Sequence, residues 1–191
     1  MSSATPGSRS ARITWPSDAW PGFGTIGAFQ LQRSSDGGTT WRPIATLAKV
    51  KRSHVVQRLS NGVTYRFRIR PVRGKVLGDW LETNSVTPRT VPSQPRLVRA
   101  VGGNGTLTVT WLAPLSSGGA PVVEYRVQSS TDGRKWTVAQ SVAPALGQSQ
   151  STELTGLPNG VKRFVRVVAV NVAGTSRGTV SRKAAPSATA Q

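Results

Sequence analysis

The chain has 191 residues and a formal net charge of +18 at pH 7, from 25 Lys and Arg residues against 7 Asp and Glu residues. It has no cysteine and one histidine, which excludes disulfide frameworks, thiolate metal sites and any site built on more than one imidazole. No stretch approaches the roughly 18 apolar residues that a membrane span requires, so we expect no membrane span.

The positive charge is divided evenly along the chain. Residues 1–88 carry 13 bases and 4 acids and residues 89–191 carry 12 bases and 3 acids, so each part has a net charge of +9. Such a distribution indicates basic domains rather than a basic tail. Residues 1–8 contain no apolar signal-peptide core, which predicts that this chain has no signal peptide; a trimmed signal is the alternative.

The predicted elements are all strands. Short runs in which apolar and polar residues alternate indicate half-buried strands, and no segment sustains a helical period. Turn signals such as Asp36-Gly37 and Asn61-Gly62 separate these runs. The alternating runs are, in chain order, residues 29–31, 65–69, 107–111, 125–127 and 165–169.

The second half of the chain repeats the first at a distance of 96 to 98 residues. This period exceeds the 20 to 50 residues of solenoid and propeller repeats, so it predicts two tandem domains. The matching positions are Trp15 and Trp111, Phe29 and Tyr125, Asp36 and Asp132, Leu59 and Leu157, and Gly62 and Gly160.

A proline-rich segment separates the two copies. Three prolines fall within residues 87–95, which predicts a short, stiff linker and an extended, rod-like pair of domains. The predicted limits are residues 1–88 for the first domain, 89–95 for the linker, 96–187 for the second domain and 188–191 for a tail.

The two copies differ at their predicted first strand. Residues 96–101 of the second copy have strand-forming residues before Trp111, whereas residues 1–10 contain no Val, Leu, Ile or aromatic residue. We therefore expect the first domain to lack a proper first strand and to be the less stable of the two. Its open edge would then be the place where a partner adds a strand.

These patterns resemble the bacterial fibronectin type III family. The shared features are a Trp in the second strand, an aromatic residue that opens the third, an Asp-Gly hairpin, a Leu before an Asn-Gly turn, and the run 65–69. The resemblance covers residues 8–88 and 92–187. It implies an all-β fold of two immunoglobulin-like β-sandwiches in tandem, joined by the short Pro-rich linker. It also implies that Trp15 and Trp111 are core residues and that the Tyr65 hydroxyl forms a hydrogen bond with nearby backbone. The second copy departs from this pattern, because it has Arg163 at the position of the tyrosine.

The residues that could perform chemistry form no recognisable catalytic set. Residues 34–41 fit the Asp box of sialidase-like propellers, but that motif stabilises a hairpin and a propeller needs more chain. The lone His54 is expected at an exposed strand edge. The seven acids are scattered and predict no carboxylate pair of the glycosidase kind. We therefore expect a protein that is not an enzyme and that has no cofactor and no metal.

Basic residues of the first domain predict a binding surface for anions. If Tyr65, Phe67 and Ile69 face the core, then the arginines between them share the opposite face of one strand. Such a row attracts phosphate or carboxylate polymers, and its alternative is an ordinary solvated face. The predicted polyanion-binding residues are Arg66, Arg68, Arg70, Arg73, Lys75, Lys51 and Arg52.

Four apolar side chains are candidate protein contacts. Phe164 and Val168 occupy, in the second copy, the face that carries arginines in the first. Trp20 and Trp80 have no counterpart in the second copy, so they are either surface anchors or fillers between loops.

The resemblance and the charge together lead to three hypotheses of function. The first is a non-enzymatic structural and adhesive module that docks on an acidic assembly or polymer, as a phage virion or tail component. The second is a secreted or cell-surface, carbohydrate-associated spacer trimmed from a larger protein. The third is a binder of nucleic acid or another polyanion. The expected partner is thus a protein in a larger assembly or an acidic polymer, in a virion or outside the cell.

Overall fold

The computed structural model describes residues 1–188, which form sixteen β-strands and no helix. The chain divides into two compact units, the first spanning Met1–Thr90 and the second beginning at Val91. Of the tail predicted at 188–191, residues 189–191 lie outside the described residues.

The first unit consists of eight strands in two antiparallel sheets. They are β1 (Ser3–Gly7), β2 (Ser10–Thr14), β3 (Ala28–Ser34), β4 (Arg42–Ala48), β5 (Ser53–Val56), β6 (Arg66–Arg73), β7 (Val76–Leu77) and β8 (Leu81–Glu82). One sheet has the order β1-β2-β5. The other has the order β4-β3-β6, with both β7 and β8 paired along the far edge of β6.

The second unit repeats this arrangement strand for strand. Its strands are β9 (Arg96–Gly103), β10 (Thr106–Leu112), β11 (Glu124–Ser130), β12 (Thr137–Val142), β13 (Ser149–Leu154), β14 (Phe164–Asn171), β15 (Gly174–Thr175) and β16 (Thr179–Val180). The sheet order is β9-β10-β13 in one layer. In the other layer the order is β12-β11-β14, with β15 and β16 on the far edge of β14.

Each unit closes around its own hydrophobic core. Alternate residues of the central strands point inward, and burial of their apolar surface provides the main driving force for folding. Trp15 is 3% exposed and Trp111 is 1% exposed, which confirms that both tryptophans are core residues. Each packs edge-on against an aromatic residue of the facing sheet, Phe29 in the first unit and Tyr125 in the second. The predicted pair of all-β sandwiches is therefore confirmed.

Tyr65 forms the expected corner. Its hydroxyl accepts a hydrogen bond from the backbone N–H of Ser60 at 3.1 Å. The second unit has Arg163 at this position, and the Nε atom of that arginine is buried without a hydrogen-bond partner among the described residues. The corner of the second unit is thus held without this contact.

The expectation that the first unit lacks its first strand is wrong. Strand β1 pairs with β2 along its whole length, from Ser3 opposite Thr14 to Gly7 opposite Ser10. Only one of its side chains needs to enter the core, and Ala4 does so with 4% of its surface exposed. A strand can be specified by backbone pairing, so the lack of large apolar residues in this segment did not indicate the lack of a strand.

Candidate functional site

The predicted row of arginines lies on the outward face of β6. Phe67 and Ile69 are fully buried, and the arginines on either side of them are only half-buried. Because successive side chains of a strand point to opposite faces, Arg66, Arg68 and Arg70 line one surface of the sheet.

Arg68 is held between two tryptophans. Its guanidinium carbon lies 4.4 Å from the ring centroid of Trp41 and 4.4 Å from that of Trp80. Its Nε and Nη2 atoms both donate to the Oε1 atom of Gln32, at 2.8 and 2.7 Å. Burial lowers the pKa of Arg68, against the opposing effect of Glu82, but arginine stays charged at any pH of interest.

The two neighbouring arginines are also fixed by their surroundings. The guanidinium carbon of Arg70 lies 4.3 Å from the centroid of Trp80, and its Nε donates to Gln30 Oε1 at 2.9 Å. Arg66 forms an ion pair with Glu82, at 2.9 Å from Nη2 to Oε2, and donates to the C=O of Gly37 at 3.2 Å. The row is therefore an ordered layer of alternating cations and rings rather than a set of freely moving side chains.

The other predicted basic residues lie elsewhere in the first unit. Arg73 ends β6 and Lys75 is in the turn after it, while Lys51 and Arg52 are in the turn between β4 and β5. Ala28, the first residue of β3, pairs with both Ala48 and Val72, so these two turns are at the same end of the sheet. The seven basic residues thus form a row on the face and a separate cluster at one end.

The corresponding face of the second unit is built differently. Arg166 repeats Arg68, since its guanidinium carbon lies 4.3 Å from the centroid of Trp136 and its Nε donates to Gln128 at 2.7 Å. The position of Trp80, however, is taken by Gly178. A Cβ atom added to this glycine would come within 2.4 Å of the Arg166 side chain and 3.1 Å of Val168. The backbone itself therefore covers this part of the face.

Val168 is not the exposed contact that the sequence predicts. It is 6% exposed, because the backbone at Gly178 packs directly on it. Phe164 is half-buried, with the Lys183 ammonium 4.8 Å from its ring centroid.

The two unrepeated tryptophans of the first unit have different surroundings. Trp20 is half-buried, packs against Phe29 at a centroid distance of 5.5 Å and donates from its ring nitrogen to the C=O of Asp79 at 2.8 Å. Trp80 lies outside the core and contacts the arginine row. Trp20 is therefore a filler between loops rather than a surface anchor, whereas Trp80 is part of the candidate surface.

Sequence reasoning identified the arginines but missed the residues that hold them. Gln30, Gln32 and Trp41 were not predicted as part of the surface. Two of them, Gln32 and Trp41, could have been found from the sequence, because the same residue types recur at the matching positions of the second copy. Gln32, Trp41 and Arg68 return as Gln128, Trp136 and Arg166.

Asp36 and His54 lie in hairpin and strand surroundings of the first unit. Within residues 1–188 no three His, Cys, Asp or Glu residues are placed to hold a metal ion. Asp36 accepts hydrogen bonds from Ser34 and Thr40 inside its own hairpin. His54 is partly buried in β5, which lowers its pKa, and the nearby charge of Lys51 adds to that effect.

Comparison with known proteins places the second unit in a family. Residues 91–184 match the model of the fibronectin type III domain. The chain is 29% identical over 65% of its length to a Kelch domain-containing protein of Saccharolobus solfataricus, and 26% identical over 86% of its length to titin of Drosophila melanogaster. It spans 16% and 1% of those two relatives.

One solved structure to which the chain is similar is a segment of two fibronectin type III domains from chicken tenascin. It is 18% identical, covers 94% of this chain and 95% of its own, and has a TM-score of 0.46. In the part of the chain that the structure describes, no helix has the length and apolar character needed to cross a membrane.

Proposed function

We propose that this chain is a non-enzymatic module that docks on an acidic assembly or polymer, because its second unit matches the fibronectin type III domain, whose members serve structural and adhesive binding roles. The docking surface is the outward face of β6, with Arg66, Arg68 and Arg70 as its centre. Arg73, Lys75, Lys51 and Arg52 extend the positive field at one end of the unit.

The observation that carries this proposal is the fixed orientation of the guanidinium groups. Binding usually costs the conformational entropy of long side chains, and side chains that are already ordered avoid much of that cost. Arg70 uses only its Nε for Gln30, and no hydrogen bond to a described residue occupies its two Nη atoms. Those atoms are available for a phosphate or carboxylate group, which arginine can contact with two parallel hydrogen bonds.

The setting that fits best is a virion or tail, where a basic and cysteine-free module meets an acidic protein partner or a nucleic acid. A secreted or cell-surface spacer associated with carbohydrate is the second setting, and the same surface would then contact an acidic polysaccharide. Both settings use the same chemistry, so the arginine row can be tested before the setting is known.

Salt dependence of binding tests the row. A 20-base-pair DNA duplex and poly-L-glutamate serve as probes for phosphate and carboxylate polymers. Replacement of Arg66, Arg68 and Arg70 by Gln should weaken binding and reduce the slope of log K against log salt on DNA by about 2 to 3. The matched control replaces Arg134, Lys162 and Arg177, which are exposed residues of the second unit, and removes the same charge.

The outcome is decided by comparing the two variants. If both variants lose the same affinity and the same salt dependence, the arginine row contributes only non-specific positive charge, and the proposal is refuted. If the triple variant fails to fold, Arg70→Gln alone leaves Arg68 in contact with both tryptophans, and it should reduce the slope by about 1. An unchanged slope for that variant would also refute it.

A further inference from the structure

The two units differ at one edge of their three-stranded sheets. The edge strand is β1 in the first unit and β9 in the second. Each of these strands pairs with one neighbour, so its other side carries backbone N–H and C=O groups that need another partner.

The edge of β1 is closed by a side chain of its own unit. The carboxamide of Asn84 accepts a hydrogen bond from the Ala4 N–H at 2.8 Å and donates to the Ala4 C=O at 3.0 Å. It thus takes the place of a pairing strand. The next position that points the same way is Pro6, which has no N–H to offer. An incoming strand would find no free donor at either residue.

Ala100 is the counterpart of Ala4 in the second unit. Ala4 lies opposite Ile13, and Ala100 lies opposite Val109, which is 96 residues after Ile13. The surroundings match as well. Gly7 accepts a backbone hydrogen bond from residue 89, and Gly103 accepts the same bond from residue 187.

The backbone groups of Ala100 point away from β10. Just before β10, the C=O of Gly105 accepts a hydrogen bond from the N–H of residue 157. Just after β10, the N–H of Ala113 donates to the C=O of residue 148. Residues 148 and 157 flank β13, so both bonds point towards β13. Since these directions alternate along a strand, Val109 also bonds towards β13. The N–H and C=O of its partner Ala100 therefore face the open side of the sheet.

The residue that would close this edge is replaced in the second unit. Asn84 follows Thr83, whose hydroxyl accepts from the backbone N–H of Phe67, and Arg182 follows Ser181, whose hydroxyl accepts from Val165 in the same way. Arg182 therefore stands where Asn84 stands. Arg182 is exposed. Among residues 1–188, no group forms a hydrogen bond with the outward N–H or C=O of Ala100, so nothing replaces the carboxamide of Asn84 there.

The open edge borders a shallow groove with a defined chemistry. Leu97 and Val101 are 64% and 65% exposed, which is unusual for large aliphatic residues within a strand. Between them lies the exposed Arg99, and the exposed Arg182 also lines the groove. The groove thus offers free backbone groups, two apolar contacts and two positive charges.

We propose that the open edge of β9 binds an extended acidic peptide segment of a partner protein by strand addition. The peptide backbone pairs with Ala100, an acidic side chain of the peptide meets Arg99 and Arg182, and its apolar side chains cover Leu97 and Val101. A second copy of this chain is a poor occupant, because it would bring the same arginines and another net charge of +18. This surface shares no residue with the arginine row of the first unit, so each proposal can be refuted without affecting the other.

Hydrogen exchange of the ¹⁵N-labelled full chain tests the state of the edge. The Ala4 amide, bonded to Asn84, should exchange at least about tenfold more slowly than the Ala100 amide, although both are in strands. Addition of the capped peptide Thr-Val-Thr-Glu-Thr-Val-Thr should slow exchange at Ala100. Equal protection of the two amides in the free chain, or an unchanged Ala100 amide with millimolar peptide, would overturn the proposal.

Three variants separate backbone pairing from charge. Arg182→Asn restores the carboxamide of the first unit, so it should protect the Ala100 amide without peptide and weaken peptide binding about tenfold or more. Arg182→Ala removes the same charge without closing the edge, and should keep Ala100 in fast exchange and bind more tightly than Arg182→Asn. Ala100→Pro removes the donor with both arginines intact and should also weaken binding.

The peptide itself carries the control for charge. With Lys in place of its Glu, the peptide should bind at least about tenfold more weakly, since it would face two arginines. Equal binding of the Lys peptide would refute an acidic partner. Equal peptide affinity of Arg182→Asn and Arg182→Ala would refute pairing at Ala100.

Discussion

At the scale of single residues, Asp36 shows a carboxylate used for structure. It accepts from the Ser34 hydroxyl at 2.6 Å, and from the Thr40 N–H and hydroxyl at 2.9 and 2.5 Å. These bonds favour the ionised form, so the hydrogen bond from Ser34 first, and then those from Thr40, lower the pKa of Asp36. Asp132 repeats the arrangement with its own hairpin.

Asp36→Asn should therefore lower the melting temperature of the first unit by a few degrees near neutral pH, since an amide accepts these bonds less strongly than a carboxylate. The pKa of Asp36 is depressed in the folded state, so its stabilising effect is present above the ordinary pKa of Asp, near 3.8, and is lost as the pH falls further. The difference between variant and parent should consequently shrink in acid. Melting curves at several pH values measure this, with Asp18→Asn, at an exposed loop residue, as the control. A glycan-cleaving activity that disappears in the Asp36 variant would contradict the structural role.

At the scale of elements, the exchange of Trp80 for Gly178 changes one face of the sandwich. In the first unit an indole lies against Arg68 and Arg70. In the second unit the backbone at Gly178, just before β16, lies directly over Arg166 and Val168, where a side chain has no room. The same fold therefore presents an ordered cationic layer in one copy and a covered, more apolar face in the other.

Trp80→Ala should destabilise the first unit by about 1–3 kcal/mol, since it removes two cation–π contacts and partly buried aromatic surface. Trp80→Phe keeps a ring and should cost less. Denaturant unfolding of the full chain, followed through amide signals of each unit separately, measures the change. The second unit serves as the internal control and should keep its midpoint. An unchanged midpoint for the first unit would mean that the tryptophan and arginine layer adds no stability.

The strands that sequence reasoning predicted well are those with a strong alternating pattern. The runs around Phe29, Phe67 and Val109 have apolar side chains at every second position, and burial of those side chains is visible in the sequence. Strand β1 was missed because its stability comes from backbone pairing and from Asn84, a residue 80 positions away from Ala4. The proposed binding surface could be predicted only in part, for the same reason. Its arginines are recognisable by spacing, whereas the contacts of Arg68 with Trp41 and Trp80 depend on which strands are neighbours.

At the scale of the whole molecule, the two units share one fold and one sign of charge. They differ in whether the backbone N–H and C=O groups at the edge of the three-stranded sheet have hydrogen-bond partners. The expectation that the open sheet edge belongs to the first unit is reversed, because Asn84 closes β1 and no equivalent residue among positions 1–188 closes β9. An unpaired edge is a general hazard for aggregation, and proteins often protect such edges with charge. A net charge of +18 supplies that protection through repulsion between copies, so the open edge remains compatible with a monomer at low salt.

The balance between edge pairing and repulsion should depend on salt. Electrostatic repulsion acts over a Debye length of about 30 Å at 0.01 M salt but only about 3 Å at 1 M, whereas backbone hydrogen bonds are little affected. We expect the chain to be monomeric at low salt and to form dimers through β9 at 1 M salt. Analytical ultracentrifugation measures the change, and Arg182→Asn should prevent it by closing the edge. Asn84→Asp is the opposite test, since its carboxylate cannot donate to the Ala4 C=O and should make β1 of the first unit a second, weaker pairing site. Dimerisation that persists unchanged in Arg182→Asn would assign self-association to another surface.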